Sequence, residues 1–203
     1  MPHRFFSQIV TLCISGGALF FSNVSSAHSL EVFAKASASK NYSDRDSFTV
    51  SVTGATGLAV LLIPQVRVEG RYTLVSSLQN HINVATPTFQ GTLNDIKTQT
   101  NIYSVGLDID ILSDKHTIQP FIFLGAGYIE TLRSYYIAED GNPTSTYAQS
   151  KDTGISTNVG AGFRIRIAKS VAFEVEAYGY GINIQKPNPL INLYANAGIR
   201  IYM

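Results

Sequence analysis

The chain has 203 residues, room for one ordinary domain, with charged residues at only 14%, aromatics at 11% and no Trp. Lys+Arg is 15 against Asp+Glu 14, which excludes a general nucleic-acid binder, and a hydrophobic fraction of 45% excludes disorder. The one Cys leaves no disulfide framework and no cysteine-rich zinc site.

Residues 1–27 read as a secretory signal peptide. His3 and Arg4 give a basic start, Phe5 to Phe21 is mostly apolar, and Ser25-Ser26-Ala27 supplies small residues for cleavage before His28. A membrane anchor fits less well, because the apolar stretch is short and no basic stop-transfer run follows. Cys13 follows Leu12, where a lipoprotein has a small residue, so it belongs to the removed segment. Losing Arg4 leaves equal numbers of basic and acidic residues in 28–203.

From residue 28 onward the recurring signal is alternation, the period-two mark of strands with two unlike faces. Leu30, Val32, Ala34, Ala36 and Ala38 alternate with Glu31, Lys35, Ser37 and Ser39. Phe48, Val50 and Val52 alternate with Thr49, Ser51 and Thr53. Val66, Val68, Gly70, Tyr72 and Leu74 alternate with Arg67, Glu69, Arg71 and Thr73. Tyr103, Val105, Leu107, Ile109 and Ile111 alternate with Ser104, Gly106, Asp108 and Asp110. The stretch 117–130 is less clean: Phe121 and Phe123 share one face, Ile122 and Leu124 the other, and its sidedness stays open. Val159, Ala161, Phe163, Ile165 and Ile167 face away from Asn158, Gly160, Gly162, Arg164 and Arg166. Val171, Phe173, Val175 and Ala177 face away from Glu174, Glu176 and Tyr178. Over 193–203 one face is wholly apolar and the other polar or small.

Eight such strands, with three short connections (61–65, 112–116, 168–170) alternating with four longer polar ones (40–47, 76–98, 132–154, 182–190), predict an all-β fold. The expected architecture is an eight-stranded antiparallel up-and-down transmembrane β-barrel over 28–203. Its short turns would be periplasmic and its longer loops extracellular. The longest apolar run after residue 27 is Leu58 to Pro64, far below a membrane helix.

Alternation fixes two faces without saying which is outside. Many Ala and Gly on the apolar face would fill a soluble core poorly, which favours an apolar exterior against lipid. Arg67, Glu69, Arg71, Asp108, Asp110, Arg164, Arg166, Glu174, Glu176 and Arg200 then face the lumen and are expected to form a buried polar network. If the 168–170 turn centres on Lys169, Arg164 lies opposite Glu174, Gly162 opposite Glu176, and Arg166 diagonal to Glu174.

The last eight residues, Asn-Ala-Gly-Ile-Arg-Ile-Tyr-Met, resemble the C-terminal signal that the barrel assembly machinery reads, with Asn196, Gly198, Ile201 and Met203 on the pattern. Met203 departs from the usual Phe. The region 28–203 resembles the small eight-stranded bacterial outer-membrane barrels, the OmpA-like transmembrane domain and opacity-type porin-family surface proteins. Val-Arg-Val-Glu-Gly-Arg-Tyr at 66–72 is similar to their third strand, and Gln-Pro-Phe-Ile-Phe-Leu-Gly-Ala-Gly-Tyr at 119–128 to their fifth. The resemblance implies an outer-membrane location, contact with lipid and lipopolysaccharide, and assembly by the barrel machinery. No further domain is expected after the last strand.

The expected role is structural or surface recognition, with the lumen plugged and loops offered to a host or phage partner. Tyr135, Tyr136 and Tyr147 are candidate contacts, or else strand extensions or an aromatic girdle at the outer interface. A narrow pore for small solutes is the alternative. A lipid A-modifying enzyme is less favoured, because His28, His81 and His116 lie at a terminus, in a long connection and in a turn, without the His-x-Ser arrangement of the deacylases. A soluble barrel carrying a hydrophobic ligand is disfavoured by the missing Trp and the terminal signal. No cofactor, metal site or catalytic residue is expected; Asp108 and Asp110 have arginines to pair with.

Overall fold

The computed structural model describes residues 30–42, 48–86, 89–113, 116–139, 146–182 and 190–203. The predicted signal peptide, 1–27, lies outside them. The strands are β1 (Leu30–Tyr42), β2 (Phe48–Ile63), β3 (Val66–Thr86), β4 (Phe89–Asp110), β5 (Ile118–Glu139), β6 (Thr146–Ala168), β7 (Val171–Ile182) and β8 (Leu190–Tyr202). Each pairs antiparallel with the next, and β8 closes on β1, so the eight strands form one barrel.

The polarity is inverted relative to a soluble barrel. Val105 is 62% exposed, Ile167 68% and Leu193 73%, while Arg164, Glu174 and Arg200 are fully buried. An arginine on the lipid side of such a barrel costs about 2–4 kcal/mol at mid-membrane, which is why the charges share one parity. The fold is therefore a transmembrane β-barrel.

β5 takes the side that its sequence left open: Gln119, Phe121 and Phe123 point inward and are buried, whereas Ile122 and Leu124 face out. β2 continues well past Thr53. Its inner face there is Ala55, Gly57 and Ala59, too small to contrast with the outer Gly54, Thr56 and Leu58. Gly57 sits opposite Phe33, and a Cβ there would strike the Phe33 ring at 2.6 Å; the ring covers the glycine.

The expected long loops at 76–98 and 132–154 are a correction. Most of both stretches is strand: β3 and β4 pair as far as Thr86↔Phe89, and β5 and β6 as far as Ile137↔Thr146. The apolar face disappears there because both faces meet water, while backbone pairing continues without it. A bulge interrupts β4 between Asn94 and Lys97, where Asp95 takes φ 50. At the opposite end the strands turn tightly, through Pro64–Gln65 and Lys169–Ser170.

Candidate functional site

Two regions carry the chemistry: the lower lumen, near the short turns, and the sheet that rises above the barrel. In the lumen β1 contributes Glu31 and Lys35, β3 Arg67, Glu69 and Arg71, and β4 Asp108 and Asp110. Arg164 comes from β6, Glu174 and Glu176 from β7, and Arg200 from β8. Strict alternation sends all of them inward, and closure brings them together from six strands.

The pairs interlock. Arg200 meets Glu31 at 2.9 Å, Glu69 at 2.7 Å, Asp108 at 3.2 Å and Glu174 at 2.5 Å. Arg164 bridges Asp108, Asp110 and Glu174. Arg67 joins Glu31 at 2.7 Å to Asp110 at 2.6 Å. Arg71 joins Glu69 at 2.7 Å to Glu176 at 3.0 Å. Lys35 holds Glu174 at 2.8 Å and Glu176 at 2.9 Å. Each cation thus answers at least two carboxylates, the condition under which buried charge is tolerable.

Aromatic rings pack between the cations. The Arg164 guanidinium lies 4.1 Å from the Phe121 ring, Arg71 lies 4.3 Å from Phe123 and 4.7 Å from Tyr178, and Arg200 lies 4.9 Å from Phe33. Such stacking adds attraction without a hydrogen bond. Toward the loops the lumen changes character. Val75, Ile102, Phe123, Ile129, Tyr178 and Tyr180 form an apolar cluster with Tyr194 packed on it, and Tyr180 stacks on Tyr194 at 5.8 Å. A solute would have to pass the ion-pair layer and then this one.

Of the residues expected in the network, Arg166 is half-buried beside the β6–β7 turn, its guanidinium 5.6 Å from the Tyr202 ring. The register does pair Arg164 with Glu174 and Gly162 with Glu176, and a shift between Arg166 and Ala168 follows. Glu31 and Lys35 were absent from the expected set although they share the polar parity of β1. The phenylalanines were missed because an inward aromatic has no contrast with the apolar side.

The terminal residues split by face. Asn196 is buried in the lumen, Gly198 faces Lys35 and Glu174 across both neighbouring strands, and Ile201 and Met203 are exposed on the apolar exterior. His116 is exposed at a short turn; His28 and the side chain of His81 lie outside the described parts. Among the described residues no group of three His, Cys, Asp or Glu is arranged for a metal ion.

Above the barrel, the outer face of β3–β6 reads in rows across the hydrogen-bond register. Tyr72, Tyr103, Tyr128 and Ile155 form one row, and Tyr72 and Tyr103 rings lie 5.2 Å apart. The next rows are Leu74–Asn101–Glu130–Thr153, Ser76–Gln99–Leu132–Lys151 and Leu78–Lys97–Ser134–Gln149. The exterior changes from apolar to polar across the tyrosines, which therefore mark the outer membrane interface. Glu130 sits 2.7 Å from Lys151 and holds its ammonium pKa above the ordinary lysine range through a hydrogen bond. Tyr136 and Tyr147, edge-to-face at 5.5 Å, stand higher on the sheet, and Tyr135 turns to its inner face, so none of the three belongs to that row. The inner face holds a cavity of about 180 Å³ between Gln79, Ile96, Thr98, Arg133, Tyr135 and Ser150.

No family model and no curated protein matches the chain. Among solved structures it is similar to the N-terminal β-barrel domain of Pseudomonas aeruginosa OprF, at 15% identity over 86% of this chain and 97% of that one, TM-score 0.45. It is also similar to Neisserial surface protein A, at 16% identity over 87% and 97%, TM-score 0.46. A third is Ail, the attachment invasion locus protein of Yersinia pestis, at 11% identity over 87% and 97%, TM-score 0.44. On the pairing and polarity of its own strands, the chain is a closed eight-stranded transmembrane β-barrel with a lumen filled by ion pairs.

Proposed function

We propose that the protein is a non-conducting anchor in a bacterial outer membrane that raises a four-stranded sheet for recognition of an extracellular partner. One observation carries this reading: β3–β6 stay paired far beyond the tyrosine row, while the lumen beneath is filled. Pairing spent above the membrane serves a surface, not a channel. Among the described residues, β6 from Thr146 to Ile155 has no strand on its β7 side, since β7 ends at Ile182, across from Ser156 in the register that pairs Asn158 with Tyr180. An open edge of this kind offers unpaired backbone groups to an added strand.

Two measurements test the reading. Protein refolded in detergent and placed in a planar bilayer is expected to give no discrete conductance steps while its unboiled gel band stays shifted; steps from that shifted form would replace the anchor with a pore. In cells, a Gln149→Cys variant is expected to react with a membrane-impermeant maleimide, and Lys169→Cys only after the envelope is opened. Labelling of Lys169→Cys in intact cells would invert the topology. Cys13 is the one native cysteine and precedes the expected cleavage site, so the background is low.

A further inference from the structure

The cavity of about 180 Å³ on the inner face of the raised sheet owes its shape to the bulge in β4. Asn94 pairs with Tyr136 and Lys97 with Ser134, so Asp95 and Ile96 together stand opposite Tyr135. The extra residue bends the strand, with Asp95 in the left-handed backbone region, and Ile96 turns inward, buried opposite Gln79. Thr98, Arg133 and Ser150 lie in one row below the bend, and Leu93, Ile96 and Tyr135 line the cavity above them. Arg133 is the one cation of this lining. It makes no ion pair among the described residues, unlike Arg67, Arg71, Arg164 and Arg200 in the lumen. Asp152 shares the inner face, diagonal to Arg133 across the β5–β6 register, and forms no ion pair with it.

We propose that this cavity binds a carboxylate carried on a short apolar stem. The Arg133 fork takes both oxygens, the Thr98 and Ser150 hydroxyls donate from either side, and Leu93 and Ile96 pack against the stem. Charge and shape choose the ligand together. One guanidinium balances one negative charge, its planar fork matches a carboxylate through two parallel hydrogen bonds, and the aliphatic wall disfavours a free hydrated ion. Pockets for whole small molecules span about 300–1,000 Å³, so this one takes a single group, the size of a glutamate side chain or a short-chain acid. The carboxylate has two sources: a free acid, or the glutamate of a strand added at the open edge, since Ser150 belongs to that edge strand. The inference rests on the recognition role proposed above and adds the ligand chemistry and the residues that meet it.

The test is a titration of isotope-labelled protein, refolded in detergent micelles, with sodium butyrate, reading the backbone amide signals of Thr98 and Ser150. Butyrate is expected to move both with saturation, and butylammonium to leave them still. Arg133→Gln should weaken butyrate about tenfold or more, the loss expected for a charge-assisted contact. Asp152→Asn should tighten it about twofold, because a like charge about 7–8 Å away is removed. Lys169→Gln, at the far end of the barrel, should change nothing. Equal affinity in every variant overturns the site, and equal shifts from chloride at the same concentration overturn the carboxylate in favour of any anion. A second arm adds a short β-strand peptide with one central Glu, and its Gln counterpart. Tighter binding of the Glu peptide than of butyrate, lost in the Gln peptide, assigns the carboxylate to a partner strand; binding no tighter than butyrate assigns it to a free acid. The titration reads the same whichever side of the membrane the sheet faces, and a heat-shifted gel band shows each variant folded, so failure of the cavity is told apart from failure of the anchor.

Discussion

Arg200 is the most connected cation of the lumen, and its removal gives the sharpest test of how the barrel is held. Arg200→Met keeps much of the side-chain length and deletes contacts to Glu31, Glu69, Asp108 and Glu174. Breaking a buried pair from one side costs about 3–5 kcal/mol. Each carboxylate left behind retains at least one other cation: Arg67 for Glu31, Arg71 for Glu69, Arg164 for Asp108, and Lys35 with Arg164 for Glu174. The loss should therefore fall at the lower end, about 3 kcal/mol, or roughly 150-fold in the folding equilibrium. Urea titration in lipid vesicles, with the unboiled shifted band as the folded fraction, should move its midpoint down by about 1–3 M. The variant also leaves the carboxylates in greater excess, because Lys35 and four arginines face six of them in the native lumen. Adding Glu69→Gln to Arg200→Met should then recover about 1 kcal/mol or more. A single variant within about 0.5 kcal/mol of the native protein, the range of an ordinary surface change, would refute the network as a source of stability. So would a double variant no better than the single.

On the exterior, Ala161→Arg near mid-membrane should cost about 2–4 kcal/mol and Tyr128→Arg at the interface about 0–1 in the same titration; equal costs would misplace the bilayer. A Cβ at Gly198 would overlap the Ala34 carbonyl, whereas one at Gly54 meets nothing within 4 Å. Gly198→Val should abolish the folded band at the β1–β8 seam and Gly54→Ala should leave it, and two intact bands would show that the seam tolerates a side chain. Ile201→Asn should lower insertion by the cellular assembly machinery more than it lowers refolding in detergent; equal losses would make the terminal pattern a matter of packing alone.

The alternation in the sequence carried the strand number, the inside of most strands and the 164/174 register, because lipid on one side and charge on the other leave a period-two trace. It lost that trace wherever the two faces met similar surroundings. At β5 both faces hold large apolar residues, Phe121 and Phe123 within and Ile122 and Leu124 without, so parity could not be assigned. Above the tyrosine row both faces meet water, and the stretches around Lys97 and Ser150 read as loops although their backbones are paired. Glu31 and Lys35 were legible as polar positions, but their partners, Arg67, Arg200, Glu174 and Glu176, come from β3, β7 and β8, and only closure brings them near.

A lumen filled with ion pairs is costly, since apolar packing of the same volume is often as stable or more so. The alternation it permits supplies a reason for keeping it. With an apolar lumen, both faces of every spanning strand would be apolar. The spanning part of β6, from Ile155 in the tyrosine row to Ala168, would then be a continuous apolar run, shorter than the ~20 residues of a membrane helix but of the length that lodges in a membrane interface. Asn158, Arg164 and Arg166, set among Val159, Phe163 and Ile165, break that segment at three of its inward positions. A chain that must cross one membrane unfolded before it folds in another is kept from lodging in the first by these charges. The same charges find their partners only when the eight strands close, which ties their neutralisation to arrival at the barrel. On this argument, Arg164→Leu and Arg166→Leu together should leave a fraction of the chain in the inner membrane, read by fractionation and immunoblot. Arg164→Lys with Arg166→Lys should not, although Arg164→Lys loses the forked contact to Asp108 and Asp110. Equal inner-membrane fractions in the two double variants would remove export as the reason for the charged lumen.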